Sequence, residues 1–287
     1  MNGTHRHIRL ADGRRLGFAI YGDTQGRPLL YFHGFPSSRL EAAYCDGAAR
    51  HQGICIVAVD RPGYGLSDFQ PGRRLSAWPE DIKQLTEALG FERFGVLGVS
   101  GGGPYALACA WKMPEKLSSV KIVCSLAPLT QPETLRALHW HARLAFGLAR
   151  RSYALLWLTY GITLGTAIRV CPEIACGWQW LPGSPADRAT LAHSEVQALM
   201  QANLRESLRA GVRGALWDAV IYARDWGFPL DQIQVPVEIW HGEADTIVPP
   251  YHCHVLADAL ADGRVKLVAG EGHYSLPIEH CEIILEG

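Results

Sequence analysis

Residues 94–112 read FGVLGVSGGGPYALACAWK, and this stretch decides the fold class. Its first six residues are almost continuously apolar, which is typical of a strand buried on both faces of a parallel sheet. A Gly-rich turn then leads into an apolar segment of helical composition. Pro104 fits the first turn of that helix, because a missing N–H does no harm there. The stretch therefore predicts a strand, a tight turn and a helix.

The turn carries the pattern G-x-S-x-G, with Ser100 between Gly98 and Gly102. A serine on a sharp strand-to-helix turn needs neighbours without side chains, since larger residues would collide with the strand and the helix. Gly98 and Gly102 meet this need, so we predict that Ser100 is a nucleophile. The alternative is a Gly-rich turn that binds phosphate or caps a helix.

Short apolar runs alternate with helical patterns on both sides of this segment. The alternation predicts an α/β fold, a mostly parallel sheet with helices on both faces. An Asp12-Gly13 turn between residues 8–10 and 16–21 predicts an antiparallel hairpin at the sheet edge. The predicted strands are 16–21, 28–32, 54–59, 94–99, 120–124, 237–240 and 265–268, and the predicted helices are 39–51, 76–89, 101–112, 251–261 and 278–285.

The alternation stops in residues 129–229, where the patterns are helical. A helical insert between two strands predicts a cap over the carboxyl edge of the sheet, where ligands bind in open α/β sheets. We therefore divide the chain into a core, residues 1–128 and 230–287, and a helical cap, residues 129–229. Six of the nine tryptophans lie in the insert, where they line a pocket or pack the insert's own core: Trp140, Trp157, Trp178, Trp180, Trp217 and Trp226.

The composition excludes several classes of protein. The chain has 287 residues, 48% of them hydrophobic and 19% charged, with a net charge of −1. These values exclude disorder and give no excess of basic residues that would bind nucleic acid. We see no secretory signal and no CxxC pair, so we expect reduced cysteines and a cytoplasmic protein. The uncharged residues 152–168 are interrupted by Gly161 and Gly165 and predict a buried or cap helix rather than a transmembrane span.

Among twelve histidines, His273 is the best candidate for the base that activates Ser100. It follows the last predicted strand, and Gly270 and Gly272 let its loop bend toward Ser100. The alternative is a loop histidine bonded to the backbone. Asp245 follows the preceding strand, which gives the required order Ser, Asp, His along the chain, and we predict that it orients His273. Glu243 is the competing carboxylate.

The oxyanion that forms on attack needs two N–H donors. Gly101 supplies one, because it follows the nucleophile directly. The other comes from the loop His33-Gly34-Phe35-Pro36, and Phe35 is the expected donor because Pro36 has no N–H. The alternative is that this segment is only a tight turn.

The motifs HGFP, DRPGYGLSD and GVSGGGPYALACA together resemble those of α/β-hydrolase-fold serine hydrolases, in particular carboxylesterase-like and proline iminopeptidase-like members with a helical cap. The resemblance covers residues 14–128 and 230–287 but not the cap. It implies Ser100 as nucleophile, Asp245 as acid and His273 as base, with Phe35 and Gly101 as oxyanion donors. Related haloalkane dehalogenases and epoxide hydrolases have aspartate at the position of Ser100, which argues against both activities.

The predicted function is hydrolysis of a small, mostly hydrophobic carboxylic ester through an acyl-enzyme. Lactone hydrolysis, peptidase activity of the proline iminopeptidase type, perhydrolysis and acyl transfer would use the same residues. A non-catalytic small-ligand receptor on the same fold is the alternative of another class. The mechanism needs no metal or organic cofactor. A peptidase would need cap carboxylates, but we interpret Glu195, Glu206 and Asp218 as solvated helix faces. Membrane contact by the cap has no support.

Overall fold

A computed structural model describes residues 3–163, 165–166 and 183–286 of the chain. Its eight strands form one sheet in the order β1-β2-β4-β3-β5-β6-β7-β8. The predicted hairpin is confirmed, with β1 and β2 antiparallel. β2 also pairs antiparallel with β4, and the strands from β3 onward pair with one another in parallel. The strands are β1 Thr4–Arg9, β2 Arg15–Gly22, β3 Arg27–Phe32, β4 Ile54–Val59, β5 Phe94–Val99, β6 Leu117–Val123, β7 Val237–Gly242 and β8 Gly263–Val268.

The central strands form the core because their side chains are apolar on both faces. Every residue of β4 and β5 is buried, as the continuous apolar runs predict. Helices cover both faces, so the predicted α/β class is confirmed. The core helices are α1 Asp46–His51, α2 Trp78–Leu89, α3 Gly103–Lys112, α10 Tyr251–Ala259, α11 Ser275–Glu279 and α12 Cys281–Leu285, with the insert's helices numbered between them.

The predicted helices at 39–51 and 278–285 differ in detail. The first begins as a 3-10 turn, Arg39–Cys45, capped by Ser38, whose side chain accepts the N–H of Leu40, and becomes α1 only at Asp46. The second region starts earlier and consists of two short helices, α11 and α12, which meet at His280. Neither difference moves a predicted site residue.

The insert between β6 and β7 is helical, and no strand occurs in its described part. Its helices are α4 Pro132–Ala137, α5 Trp140–Arg151, α6 Tyr153–Leu156, α7 Pro185–Ala192, α8 Ser194–Ser207 and α9 Arg213–Tyr222. Helix α6 continues into a π-helical turn, Trp157–Gly161. Helix α9 is almost wholly buried, which explains why it lacks the amphipathic pattern of a surface helix.

The uncharged residues 152–168 are less buried than the sequence suggests. Leu158 is 60% exposed, and three neighbours, Leu155, Trp157 and Ile162, are also exposed. Of the two predicted alternatives, a buried helix does not fit this face, whereas helical turns within the insert do. Residues 164, 167 and 168 lie outside the described part. Over the residues that the structure describes, no helix is both long and apolar enough to cross a membrane.

Two cysteines correct the expectation that all thiols are reduced. Cys45, at the end of the 3-10 turn, forms a disulfide with Cys281, the first residue of α12. The two are 236 positions apart, so their spacing gives no signal, and only the fold brings them together. The argument from reduced cysteines for a cytoplasmic location therefore does not hold, and the location stays a prediction. Cys171 and Cys176 are close enough in the sequence to form a second disulfide, but both lie outside the described residues.

Candidate active site

The turn that carries Ser100 has the strained geometry that its glycines predict. Ser100 follows β5 with a φ of +51°, a left-handed conformation that side chains rarely adopt. A Cβ at Gly98 would lie 2.5 Å from the carbonyl oxygen of Gly102. A Cβ at Gly102 would collide with the carbonyl oxygen of Phe32, on β3. Glycine is therefore required at both positions, and the packed turn holds Ser100 in place.

The structure brings Ser100, His273 and Asp245 together in one hydrogen-bonded chain. Nε2 of His273 lies 3.0 Å from Oγ of Ser100, and Nδ1 lies 2.8 Å from Oδ2 of Asp245. All three side chains are buried. Their loops follow β5, β7 and β8, whose carboxyl ends lie at the same edge of the parallel sheet. Glu243, the competing carboxylate, is exposed.

Asp245 is arranged to accept from His273 with one oxygen only. Its Oδ1 accepts the N–H groups of Ile247 and Val248, both at 2.9 Å, which leaves Oδ2 for the imidazole. Burial raises the pKa of Asp245, but His273, His241 and the N–H of Val248 lower it by more, so the net shift is downward. Burial likewise lowers the pKa of His273, yet the Asp245 carboxylate outweighs it and the net shift is upward.

The two predicted oxyanion donors lie side by side. Phe35 follows β3, and a Cβ at Gly101 would lie 2.7 Å from Cβ of Phe35. Behind this pair, the buried guanidinium of Arg61 donates to the carbonyl oxygens of His33 and, at 2.8 Å, of Gly34. The loop that carries Phe35 is therefore anchored by charge-assisted hydrogen bonds.

Asp218, on α9, anchors this arginine, which corrects its interpretation as a solvated residue. It is fully buried and pairs with Arg61, at 2.8 Å, and with Arg73. Burial raises the pKa of Asp218, but the two guanidinium groups lower it well below its usual range. From the same helix, Tyr222 donates to the carbonyl oxygen of Gly101 at 2.8 Å. Helix α9 thus contacts Gly101 directly and the loop of Phe35 through Arg61.

Asp187, on α7, holds the loop of His273 and was not predicted. Its carboxylate accepts the backbone N–H groups of His273, Tyr274 and Ser275 at 3.1, 2.7 and 3.0 Å. The same carboxylate forms a capping box with Ser184 at the start of α7. The S-x-x-D pattern at Ser184–Asp187 was a sequence signal for the helix start, but not for the contact with His273.

A cavity of about 60 Å³ lies beside Ser100 and His273. Of the described insert residues, Met200 and Asn203 line it. Of the two alternatives for the insert's tryptophans, the described ones do not line this cavity: Trp226 is buried and Trp217 partly buried, whereas Trp140 is 62% exposed. Trp178 and Trp180 lie outside the described residues.

The other two carboxylates of the insert, Glu195 and Glu206, differ in burial. Glu195 is exposed, as expected, whereas Glu206 is partly buried and lies 2.7 Å from Arg39. Arg39 also pairs with the buried Asp60, the first residue of the DRPGYGLSD segment. The ion pair thereby joins α8 to a core loop. These contacts give the DRPGYGLSD segment a structural role.

Comparison with known proteins supports the same fold. The family model described as the alpha/beta hydrolase fold matches residues 27–153. A non-heme chloroperoxidase of Streptomyces lividans is 24% identical over 288 residues, a match that covers 96% of this chain and 95% of that protein. A serine hydrolase-like protein of Danio rerio is 30% identical over 115 residues, which are 36% of this chain and about a third (32%) of that protein.

Among solved structures, an esterase from Exiguobacterium antarcticum superimposes with a TM-score of 0.73. The two chains are 21% identical, and the match covers 97% of this chain and 96% of the other. An identity this low indicates a shared fold and no more. The family match and the sheet topology show that the chain has the α/β hydrolase fold.

Proposed function

We propose that the protein is a serine hydrolase that cleaves small, mostly hydrophobic carboxylic esters through an acyl-enzyme. The observation that carries the proposal is the hydrogen-bonded chain from Ser100 through His273 to Asp245. A serine hydroxyl is a weak nucleophile until a base takes its proton, and the buried imidazole lies within reach of that proton. The small cavity beside Ser100 favours short acyl groups.

In the proposed reaction, Oγ of Ser100 attacks the ester carbonyl while Nε2 of His273 takes the hydroxyl proton. The oxyanion is held by the N–H groups of Phe35 and Gly101, and the Asp245 carboxylate stabilises the imidazolium. His273 then protonates the departing alcohol, which leaves Ser100 acylated. A water molecule, deprotonated by His273, cleaves the acyl-enzyme and restores the serine.

We further propose that residues 129–229 act as a cap over this site. Met200 and Asn203 of α8 line the cavity. Three buried polar side chains of the insert also contact core residues around the site. These are Asp187, Asp218 and Tyr222. A cap tied to the core at these points would control which substrates reach Ser100.

Perhydrolysis is the second candidate, because the Streptomyces relative with nearly full coverage is a chloroperoxidase. It would use the same acyl-enzyme, cleaved by peroxide instead of water. Lactone hydrolysis and acyl transfer to an alcohol also remain alternatives with the same residues. Peptidase activity has less support, since Asp218 and Glu206 are each paired with arginine and Glu195 is exposed.

The test is a panel of p-nitrophenyl esters of increasing acyl length, with and without hydrogen peroxide. We expect the wild-type protein to favour short acyl chains and the Ser100→Ala variant to lose turnover by several orders of magnitude. Ser118→Ala is the matched control, because Ser118 is exposed on β6 and should leave the rate unchanged. A folded wild-type protein that turns over none of the esters would contradict the proposal and favour the receptor.

A further inference from the structure

A carboxylate that the proposed mechanism does not use lies close to the nucleophile. Glu41 belongs to the 3-10 turn after β3 and lines the same cavity as Ser100 and His273. A Cβ at Gly34 would lie 3.2 Å from Oε2 of Glu41 and 3.6 Å from Cβ of Ser100. The carboxylate and the serine side chain are therefore separated by less than the sum of these two distances. A group bound to Glu41 would be adjacent to the reacting carbonyl.

The hydrogen-bond partners of Glu41 are all neutral. Oε1 accepts from the hydroxyl of Tyr31 and from the N–H of Gly34, both at 2.9 Å, and Oε2 accepts from the hydroxyl of Ser37. Within the described ranges, the ion pairs do not include Glu41. Burial raises the pKa of this carboxyl, although the hydrogen bonds from Ser37, Gly34 and Tyr31 and the nearby charge of Arg61 oppose the shift. Among the described residues, no cation is in direct contact with the carboxylate.

The rest of the cavity wall suits a cation. Four aromatic side chains line it, and none of the described lining residues is lysine or arginine. Aromatic faces attract cations, and a carboxylate binds an ammonium group by charge-assisted hydrogen bonds. The aromatic residues are Tyr31, Phe35, Tyr44 and Tyr274. Aliphatic side chains complete the wall and accommodate the methylene groups of a short chain: Val99, Met200, Pro277 and Ile278.

We propose that Glu41 binds an ammonium group of the substrate, so that the natural substrates are small esters whose acyl or alcohol part carries a protonated amine. The proposal rests on the ester hydrolysis proposed above and names its substrate class. Esters that carry a carboxylate would be excluded, because two like charges would lie close together in a poorly solvated cavity. The carboxylate comes from the core, in contrast to the cap carboxylates considered from the sequence.

Two pairs of esters of matched shape separate charge from size and also locate the amine. Ethyl 3-aminopropanoate and ethyl butanoate differ in the acyl part, and 2-(dimethylamino)ethyl acetate and 3-methylbutyl acetate differ in the alcohol part. Monoethyl malonate supplies the anionic case. Hydrolysis is followed by pH-stat titration at pH 7, where the amines are protonated. We expect kcat/KM to favour one cationic ester over its neutral partner by roughly 10- to 100-fold, typical of a hydrogen bond to a charged group.

The Glu41→Gln variant tests the residue itself. Glutamine keeps the shape and an acceptor oxygen but removes the charge, so the cationic preference should fall to about unity. Glu243→Gln, at an exposed glutamate, is the matched control and should retain the wild-type preference. If Glu41 only shapes the loop around Gly34, Glu41→Gln will lower both rates of a pair equally and leave their ratio unchanged, which would overturn the proposal.

The failures of the two proposals are distinguishable. A wild-type enzyme that hydrolyses the neutral esters as well as the cationic ones, through Ser100, would overturn the assignment of Glu41 and leave the hydrolytic function intact. A folded protein that hydrolyses neither these esters nor the p-nitrophenyl panel would overturn both. Faster hydrolysis of monoethyl malonate than of the cationic esters would also contradict a negatively charged cavity.

Discussion

Arg61 donates a hydrogen bond of 2.8 Å to the carbonyl oxygen of Gly34, and this carbonyl belongs to the same peptide group as the N–H of Phe35. The guanidinium stays protonated, and its hydrogen bond to the carbonyl oxygen polarises this peptide group. Polarised peptide groups donate more strongly, and the effect is larger in a buried environment. The proposed oxyanion donor is therefore supported by a fixed positive charge that Asp218 holds in position.

Replacement of Arg61 by lysine should separate this support from simple folding. Lysine keeps the charge but loses the planar fork that reaches two carbonyl oxygens. We expect kcat for p-nitrophenyl acetate to fall by roughly 10- to 100-fold with little change in KM, because the oxyanion exists only after attack. Circular dichroism would verify the fold. A folded variant with unchanged kcat would mean that Arg61 has no influence on the oxyanion site.

The contact of Asp187 with the His273 loop predicts a loss of both stability and rate. Asp187→Ala leaves the N–H groups of three residues without their acceptor, which should lower the free energy of unfolding by roughly 1–3 kcal/mol in a urea titration. The rate should also fall, since His273 would no longer be fixed. Asp258→Asn, at an exposed carboxylate of α10, is the control. Equal stability of the two variants would contradict the role of Asp187.

The raised pKa of His273 sets the pH dependence. Burial alone would lower this pKa, but Asp245, followed by Asp187 and Glu41, raises it above the usual 6.5. Since the base must be neutral, kcat/KM should fall as the pH drops through a value above 6.5. In Asp245→Asn the rate should drop by several orders of magnitude, and the residual activity should titrate at lower pH. A wild-type kcat/KM that falls only below pH 6 would contradict this assignment.

The same shift has the opposite consequence for stability. A histidine whose pKa is raised by folding stabilises the native state at pH values below its unfolded pKa. The contribution is lost as the pH rises through the folded pKa. The His273→Ala variant should therefore lose this pH-dependent part of the unfolding free energy, measured by urea denaturation between pH 5 and pH 9.

The disulfide between Cys45 and Cys281 predicts sensitivity to reductant. It links the turn after β3 to the last helix and closes a long loop, so its loss should cost roughly 2–5 kcal/mol of unfolding free energy. Cys281→Ser should unfold at a lower guanidinium concentration, and dithiothreitol should bring the wild type to the same midpoint. A wild-type midpoint that ignores the reductant would show that the two thiols are not linked in solution.

The sequence predicted the features that depend on local patterns. The central strands are short apolar runs, and Ser100, Asp245 and His273 lie in the segments that follow β5, β7 and β8, so strand ends locate them. Contacts made by the insert follow no local rule. Asp218 carries a charge and is therefore expected from the sequence to face solvent, but two arginines from distant loops, Arg61 and Arg73, neutralise it in the interior.

Glu41 shows a second limit of sequence patterns. It stands in a helical stretch in which a glutamate is unremarkable, and only the turn after β3 directs it toward Ser100. Cys45 and Cys281 likewise pair across nearly the whole chain. These features depend on tertiary contacts between segments far apart, and hydrophobic periodicity carries no information about such contacts.

The central claim is that Ser100 is a nucleophile activated by His273, and covalent labelling with a fluorophosphonate tests it most directly. After incubation and digestion, mass spectrometry should find one adduct per chain, on the peptide that contains Ser100. Labelling should be absent in Ser100→Ala and slowed by orders of magnitude in His273→Ala. An enzyme that hydrolyses esters while Ser100 stays unlabelled, or that is labelled equally fast without His273, would contradict the account.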